Sequence, residues 1–160
     1  MTELDERAEA VLKSNIEILY SQLDSSIQEY LKHGHSTGEV RYINSYLSAT
    51  LNAIISYVER LMEVGRMKNN ERIRALKFAN NLQKHQAQLI CLSKTIGGFT
   101  FPFCIEGEFE IPKIEVVWDD CIGLKTESPN QRKAYDNLFK KKPIIETLEP
   151  IISELLDGEK

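Results

Sequence analysis

Apolar residues recur at intervals of three and four along most of this chain, the spacing of helices that bury one side against a core. Leu4, Ala8, Val11, Leu12, Ile16, Leu19, Leu23, Ile27, Tyr30 and Leu31 predict a first helix over about residues 3–32. Thr2 stands where a capping side chain belongs, and Glu3, Asp5 and Glu6 place negative charge at the positive end of the helix dipole. A helix of that length suits a bundle or a dimer better than a compact mixed fold. The segment HGHSTG interrupts the pattern, and Ser36-Thr37-Gly38-Glu39 reads as a capping box. Val40, Ile43, Leu47, Leu51, Ile54, Val58 and Leu61 then mark a second helix over about 37–64.

After the short link GRMKNN, a third helix is predicted over about 70–94, antiparallel to the second. Ile73, Ala75, Leu76, Phe78, Ala79, Leu82, Ala87, Leu89 and Ile90 fill a broad apolar arc, while Arg74, Lys77, Asn81, Lys84, His85 and Gln88 gather opposite. Asn80, Gln83 and Gln86 fall within the apolar arc. Buried amides without partners cost about 1–3 kcal/mol each, so this helix is expected to be central and touched on several sides.

The period changes beyond Gly97-Gly98. Alternating residues, aromatics and β-branched side chains predict strands at Phe99–Cys104, Glu108–Ile111 and Ile114–Trp118. Pro102 and Pro112 confine them to edges. Ser128-Pro129 opens a fourth helix over about 130–141, closed by Lys140-Lys141-Lys142. A fifth follows over about 143–156, with Pro150 as an expected kink or restart. The fold class is therefore mainly α: a single domain of residues 1–160, a four- to five-helix bundle with a small β-hairpin or meander insert around 99–118.

Composition narrows the function classes. With 42% hydrophobic and 28% charged residues in 160, the chain can bury a sizeable core. No run approaches the roughly 18–20 apolar residues of a membrane helix, and the acidic start MTELDERAEA does not read as a signal peptide. A cytoplasmic location without membrane association is expected. Cys91, Cys104 and Cys121 lack CxxC spacing and read as buried small hydrophobes. His33-x-His35 has no carboxylate or thiolate close in sequence, so neither a metal site nor a cofactor is expected.

Charge is segregated beneath a net −4. Residues 66–94 hold seven basic side chains and one acid, whereas 1–32 hold seven acids and three bases, and 104–127 seven acids and two lysines. Either the acidic segments neutralise the basic helix within the fold, or that helix presents a cationic face to an anionic partner.

The common catalytic signatures, P-loop, GxGxxG, GxSxG and HExxH, are absent. What remains is Asn81 and His85, four residues apart on one helical face, with Arg74, Lys77, Lys84 and Gln88 close by. Imidazole serves as acid or base near neutral pH, and cations stabilise phosphate charge. That combination suits metal-independent cleavage of RNA by its own 2′-hydroxyl, and equally a histidine held by Asn81 on a solvated basic face.

In Asn80-Asn81-Leu82-Gln83-Lys84-His85 the chain resembles the HEPN superfamily, whose motif is an Arg followed by a polar residue and a His four to six residues on. Asn81 and His85 match that pattern, and Asn80 stands at the position of the Arg. The resemblance implies a helical, often dimeric domain of the kind found in toxins, abortive-infection systems and RNA processing. It implies an RNA- or protein-binding role, with or without catalysis, linked to defence or toxin–antitoxin systems. Three functions stay open: such a binding domain, an endoribonuclease using His85 with Asn81 and Arg74, and an interaction module with no nucleic-acid role. Lys77, Lys84 and Gln88 are the expected binding residues, and a homodimer the expected assembly.

Overall fold

The computed structural model describes residues 5–33, 37–86, 90–95, 113–122 and 128–158. They form helices α1 (Glu6–His33), α2 (Thr37–Glu63) and α3 (Glu71–Gln86), strands β1 (Ile90–Thr95) and β2 (Lys113–Trp118), then α4 (Pro129–Leu138) and α5 (Ile144–Asp157). The mainly α architecture expected from the hydrophobic period is present, with five helices among the described residues.

The cap of α1 is Asp5, whose Oδ1 accepts the N–H of Arg7 at 3.0 Å; Thr2 lies outside the described residues. Ile16, Leu23, Ile27 and Tyr30 form the buried side of α1, and Ile43, Leu47, Leu51, Ile54 and Val58 that of α2. The two helices run antiparallel, because the start of α1 meets the end of α2: the Tyr57 hydroxyl donates to Glu9 at 2.7 Å. Arg66, just beyond α2, donates to both oxygens of the same carboxylate at 2.8 and 3.1 Å. Gly65 supplies the left-handed turn, φ +74°, that brings Arg66 back.

α3 packs between α2 and α4. Ile73 and Leu76 line a small hollow with Val58, Ile151 and Leu155, while Phe78 meets Tyr135 of α4 at 5.0 Å between ring centres. Asn137 near the end of α4 donates to Glu71 at the start of α3 at 3.0 Å, so these helices are antiparallel as well. The expectation of a central third helix is therefore met, but not its length.

α3 ends at Gln86, and residues 90–95 are a strand instead of the helix predicted through 94. β1 pairs antiparallel with β2, Ile90 opposite Trp118 and Thr95 opposite Lys113. A short apolar run such as Leu89–Leu92 fits either period, and here a distant strand decides by supplying backbone hydrogen bonds. The predicted strand at Ile114–Trp118 is β2, whereas those at Phe99–Cys104 and Glu108–Ile111 lie outside the described residues.

β2 is fastened to the turn between α4 and α5. Trp118 is fully buried and stacks on Phe139, centroids 4.8 Å apart and planes 14° from parallel. Its backbone N–H donates to Lys142 O and its carbonyl accepts from Lys141 N–H, both at 3.0 Å. Its indole N–H donates to Thr147 Oγ1 at 2.6 Å. α4 thus stops at Leu138, and Lys140–Lys142 form a turn that holds the strand, with Lys141 itself at φ +59°. Pro150 lies inside α5 without ending it.

Candidate functional site

On α3, Arg74, Lys77, Asn81 and Lys84 fall within an arc of about 100°. Asn81 and Lys84 are exposed, and Arg74 and Lys77 half-buried. From Arg74 to Lys84 the row extends about 15 Å at 1.5 Å per residue. The strip is narrow because both of its flanks are buried: Ala75, Phe78 and Leu82 toward α4, Ile73, Leu76 and Asn80 on the other side. The fold therefore raises the cations to the surface as a line along the helix.

Ion pairing separates these cations from four of the arginines. Arg66 is bound to Glu9 at 2.8 Å, Arg72 to Glu154 at 2.7 Å, Arg60 to Glu63 at 3.0 Å and Arg132 to Asp136 at 3.1 Å. Arg74, Lys77 and Lys84 make no ion pair among the described residues. Among the described residues, internal neutralisation thus reaches the beginning of the basic segment, through α1 and α5, and does not extend along the outer face of α3.

The antiparallel fit of α3 and α4 adds a residue that sequence reasoning did not single out. Lys133 stands one turn before Asn137 on α4, as Arg74 stands about one turn beyond Glu71 on α3. Asn137 is bonded to Glu71, and Lys133, one turn before it on α4, is exposed. In sequence it reads only as a polar position on an amphipathic helix, because the elements that pack beside α4 are set by the tertiary fold.

The two adjacent asparagines are separated by the helix. Asn81 points outward, whereas Asn80 is 3% exposed and its Oδ1 has no hydrogen-bond partner among the described residues. The position at which the HEPN motif carries Arg is therefore in the core and not on the cationic strip. His85 occupies the last turn of α3, four residues beyond Asn81, and its side chain lies outside the described residues, as does Gln88. Among the proposed catalytic residues, Asn81 and Arg74 are on the same outer face; among the binding residues, Lys77 and Lys84 are.

Other polar clusters serve the scaffold. Arg132 donates to the carbonyls of Asp120 and Cys121 at 3.3 and 3.1 Å and lies over the Phe78 ring, 5.5 Å from its centre. The Tyr135 hydroxyl donates to Asp119 O at 2.7 Å. Together they fix the turn that follows β2. Cys121 is buried there at φ +56°, and burial raises its thiol pKa, so the thiol is held in its unreactive form. This agrees with its reading as a small buried hydrophobe; Cys104 lies outside the described residues. Among the described residues no group of His, Cys, Asp and Glu could hold a metal ion.

A cavity of about 300 Å³ opens where Arg72, Phe139, Lys142, Pro143, Glu146 and Ile151 meet. Its arginine is matched by Glu154 and its lysine donates to Asn137 O at 3.0 Å, so its charges are largely satisfied. It is separate from the α3 strip. No described helix is long and apolar enough to cross a membrane. Compared with protein-family models, with curated proteins and with solved structures, the chain matches none of them.

Proposed function

We propose that the chain is a HEPN-like domain that binds single-stranded RNA along the outer face of α3, acting in the cytoplasm as a homodimer. The observation that carries this reading is the row of Arg74, Lys77 and Lys84, raised on one helix face without ion pairs among the described residues while neighbouring arginines are matched. Such a face attracts phosphates by releasing their counterions and needs no particular base sequence.

The test is a titration of a fluorescent single-stranded RNA at several salt concentrations. Three phosphate contacts predict a slope of about −2 in log K against log salt, or about 20-fold weaker binding between 50 and 200 mM. Lys77→Ala and Lys84→Ala should each shorten the slope by about 0.7. Undetectable binding at low salt, or a slope indifferent to both substitutions, removes the proposal.

Cleavage by His85 is the second reading. It is favoured by Asn81, which stands on the exposed cationic face one turn before His85. An imidazole there would take the 2′-hydroxyl proton as that oxygen attacks phosphorus and displaces the 5′-oxygen of the next nucleotide, which leaves with a proton from water, while Arg74 and Lys77, two to three turns away, hold neighbouring phosphates of the strand.

A further inference from the structure

α1 has a second side that nothing among the described residues covers. Val11 and Ile18 are 59% and 56% exposed, and seven residues is two turns, so both stand on one line. That line faces away from Ile16, Leu23 and Ile27, which complete the buried side of the same helix. Farther along it, Gln22, Ser25, Ser26 and Glu29 of α1 and Tyr42 and Tyr46 of α2 line a groove of about 210 Å³. Exposed aliphatic side chains at one end and a groove at the other make the face complementary to itself.

We propose that α1 packs antiparallel against α1 of a second copy, about a two-fold axis passing beside Ile18. This rests on the homodimer reading above and not on the RNA reading. With Ile18 opposite its own equivalent, helix geometry places Val11 opposite Ser25, so each valine enters the partner's groove. The same register places Arg7 opposite Glu29. Arg7 is exposed and has no ion pair among the described residues, and a carboxylate accepts from more than one donor. Ser14, opposite Gln22, and Ser25, opposite Val11, are small enough for the helices to approach closely. Every contact occurs twice, as an isologous interface requires.

Sedimentation of the full chain over a range of concentrations tests the assembly. The wild-type protein should dimerise, and Ile18→Asp should raise the dimer dissociation constant by about 30-fold or more, the loss expected at a buried hot spot. Because Ile18 is exposed in the single chain, the thermal transition by circular dichroism should be retained.

Cysteine pairs test the register. Ile18→Cys should cross-link with itself on oxidation, above the background of the wild-type thiols. Val11→Cys should cross-link with Ser25→Cys when the two are mixed, but not alone, since identical positions would lie about 20 Å apart. A dimer that survives Ile18→Asp, or that gives none of these cross-links, overturns the register while leaving a homodimer. A monomer at every concentration overturns both. RNA titration of Lys77→Ala reports separately on the cationic face.

Discussion

The hydroxyl of Tyr57 donates to the carboxylate of Glu9 at 2.7 Å, across 48 residues of sequence. With Arg66 on the same carboxylate, this joins the start of α1 to the end of α2 and to the turn leading into α3. The guanidinium and the phenol hold the Glu9 carboxyl down at about 2, against an ordinary 4.5. Burial and the bond to Glu9 together push the Tyr57 phenol up.

A carboxylate whose folded pKa is lowered stabilises the fold above its unfolded value and ceases to do so as pH falls through the folded one. The Glu9 contribution should therefore be complete above about pH 4.5 and vanish toward about pH 2. Urea midpoints of the wild-type protein and Glu9→Gln should differ at neutral pH and converge over that window. An unchanging gap would show that the charge on Glu9 does not matter. Tyr57→Phe, which keeps the Arg66 pair, should cost about 1 kcal/mol at neutral pH.

Asn80→Leu should stabilise the protein. The amide is buried with an oxygen that has no partner among the described residues, and an unsatisfied buried acceptor costs about 1–3 kcal/mol. Urea denaturation should show a gain of about 1 kcal/mol. A loss of similar size would mean that this amide has a partner in solution.

Thr147→Val should remove the acceptor of the Trp118 indole N–H while nearly conserving shape. Trp118 is fully buried, so the stranded donor should cost about 1–3 kcal/mol. As the chain has one tryptophan, its emission reports this site directly. A shifted spectrum with lowered stability is expected; an identical spectrum and midpoint would show that the bond contributes nothing.

His85→Ala separates binding from cleavage. If His85 is the acid–base group, single-turnover cleavage of RNA should fall by about 100-fold or more. RNA affinity and thermal midpoint should stay close to wild type. Cleavage that persists in the variant would assign the activity elsewhere.

Much of the bundle could be read from the chain because helices advertise themselves locally. The buried side of α2 is the apolar stripe seen in sequence, that of α1 is its stripe without the exposed members, Val11 and Leu31 among them, and Ser128-Pro129 marks the beginning of α4. Residues 90–94 read as helix in the sequence because Ile90 and Leu92 satisfy a strand as well as a helix, and the partner that decides begins at Lys113. Lys140–Lys142 likewise read as the end of a helix, since nothing near them in sequence shows that Trp118 needs their backbone. For the site, the cationic side of α3 was visible as a period, but whether its charges were neutralised was not.

The sequence by itself determined which side of each helix is apolar, because that depends on spacing within about ten residues, and it determined that the basic charges concentrate on the third segment. Only the tertiary structure decided which of those charges are matched, since Glu9 and Glu154 reach Arg66 and Arg72 from helices 57 and 82 residues away. It also decided that Asn80 is enclosed while Asn81 is exposed. Two adjacent residues on a helix differ by about 100° in direction, and what waits in each direction is fixed by packing between distant segments.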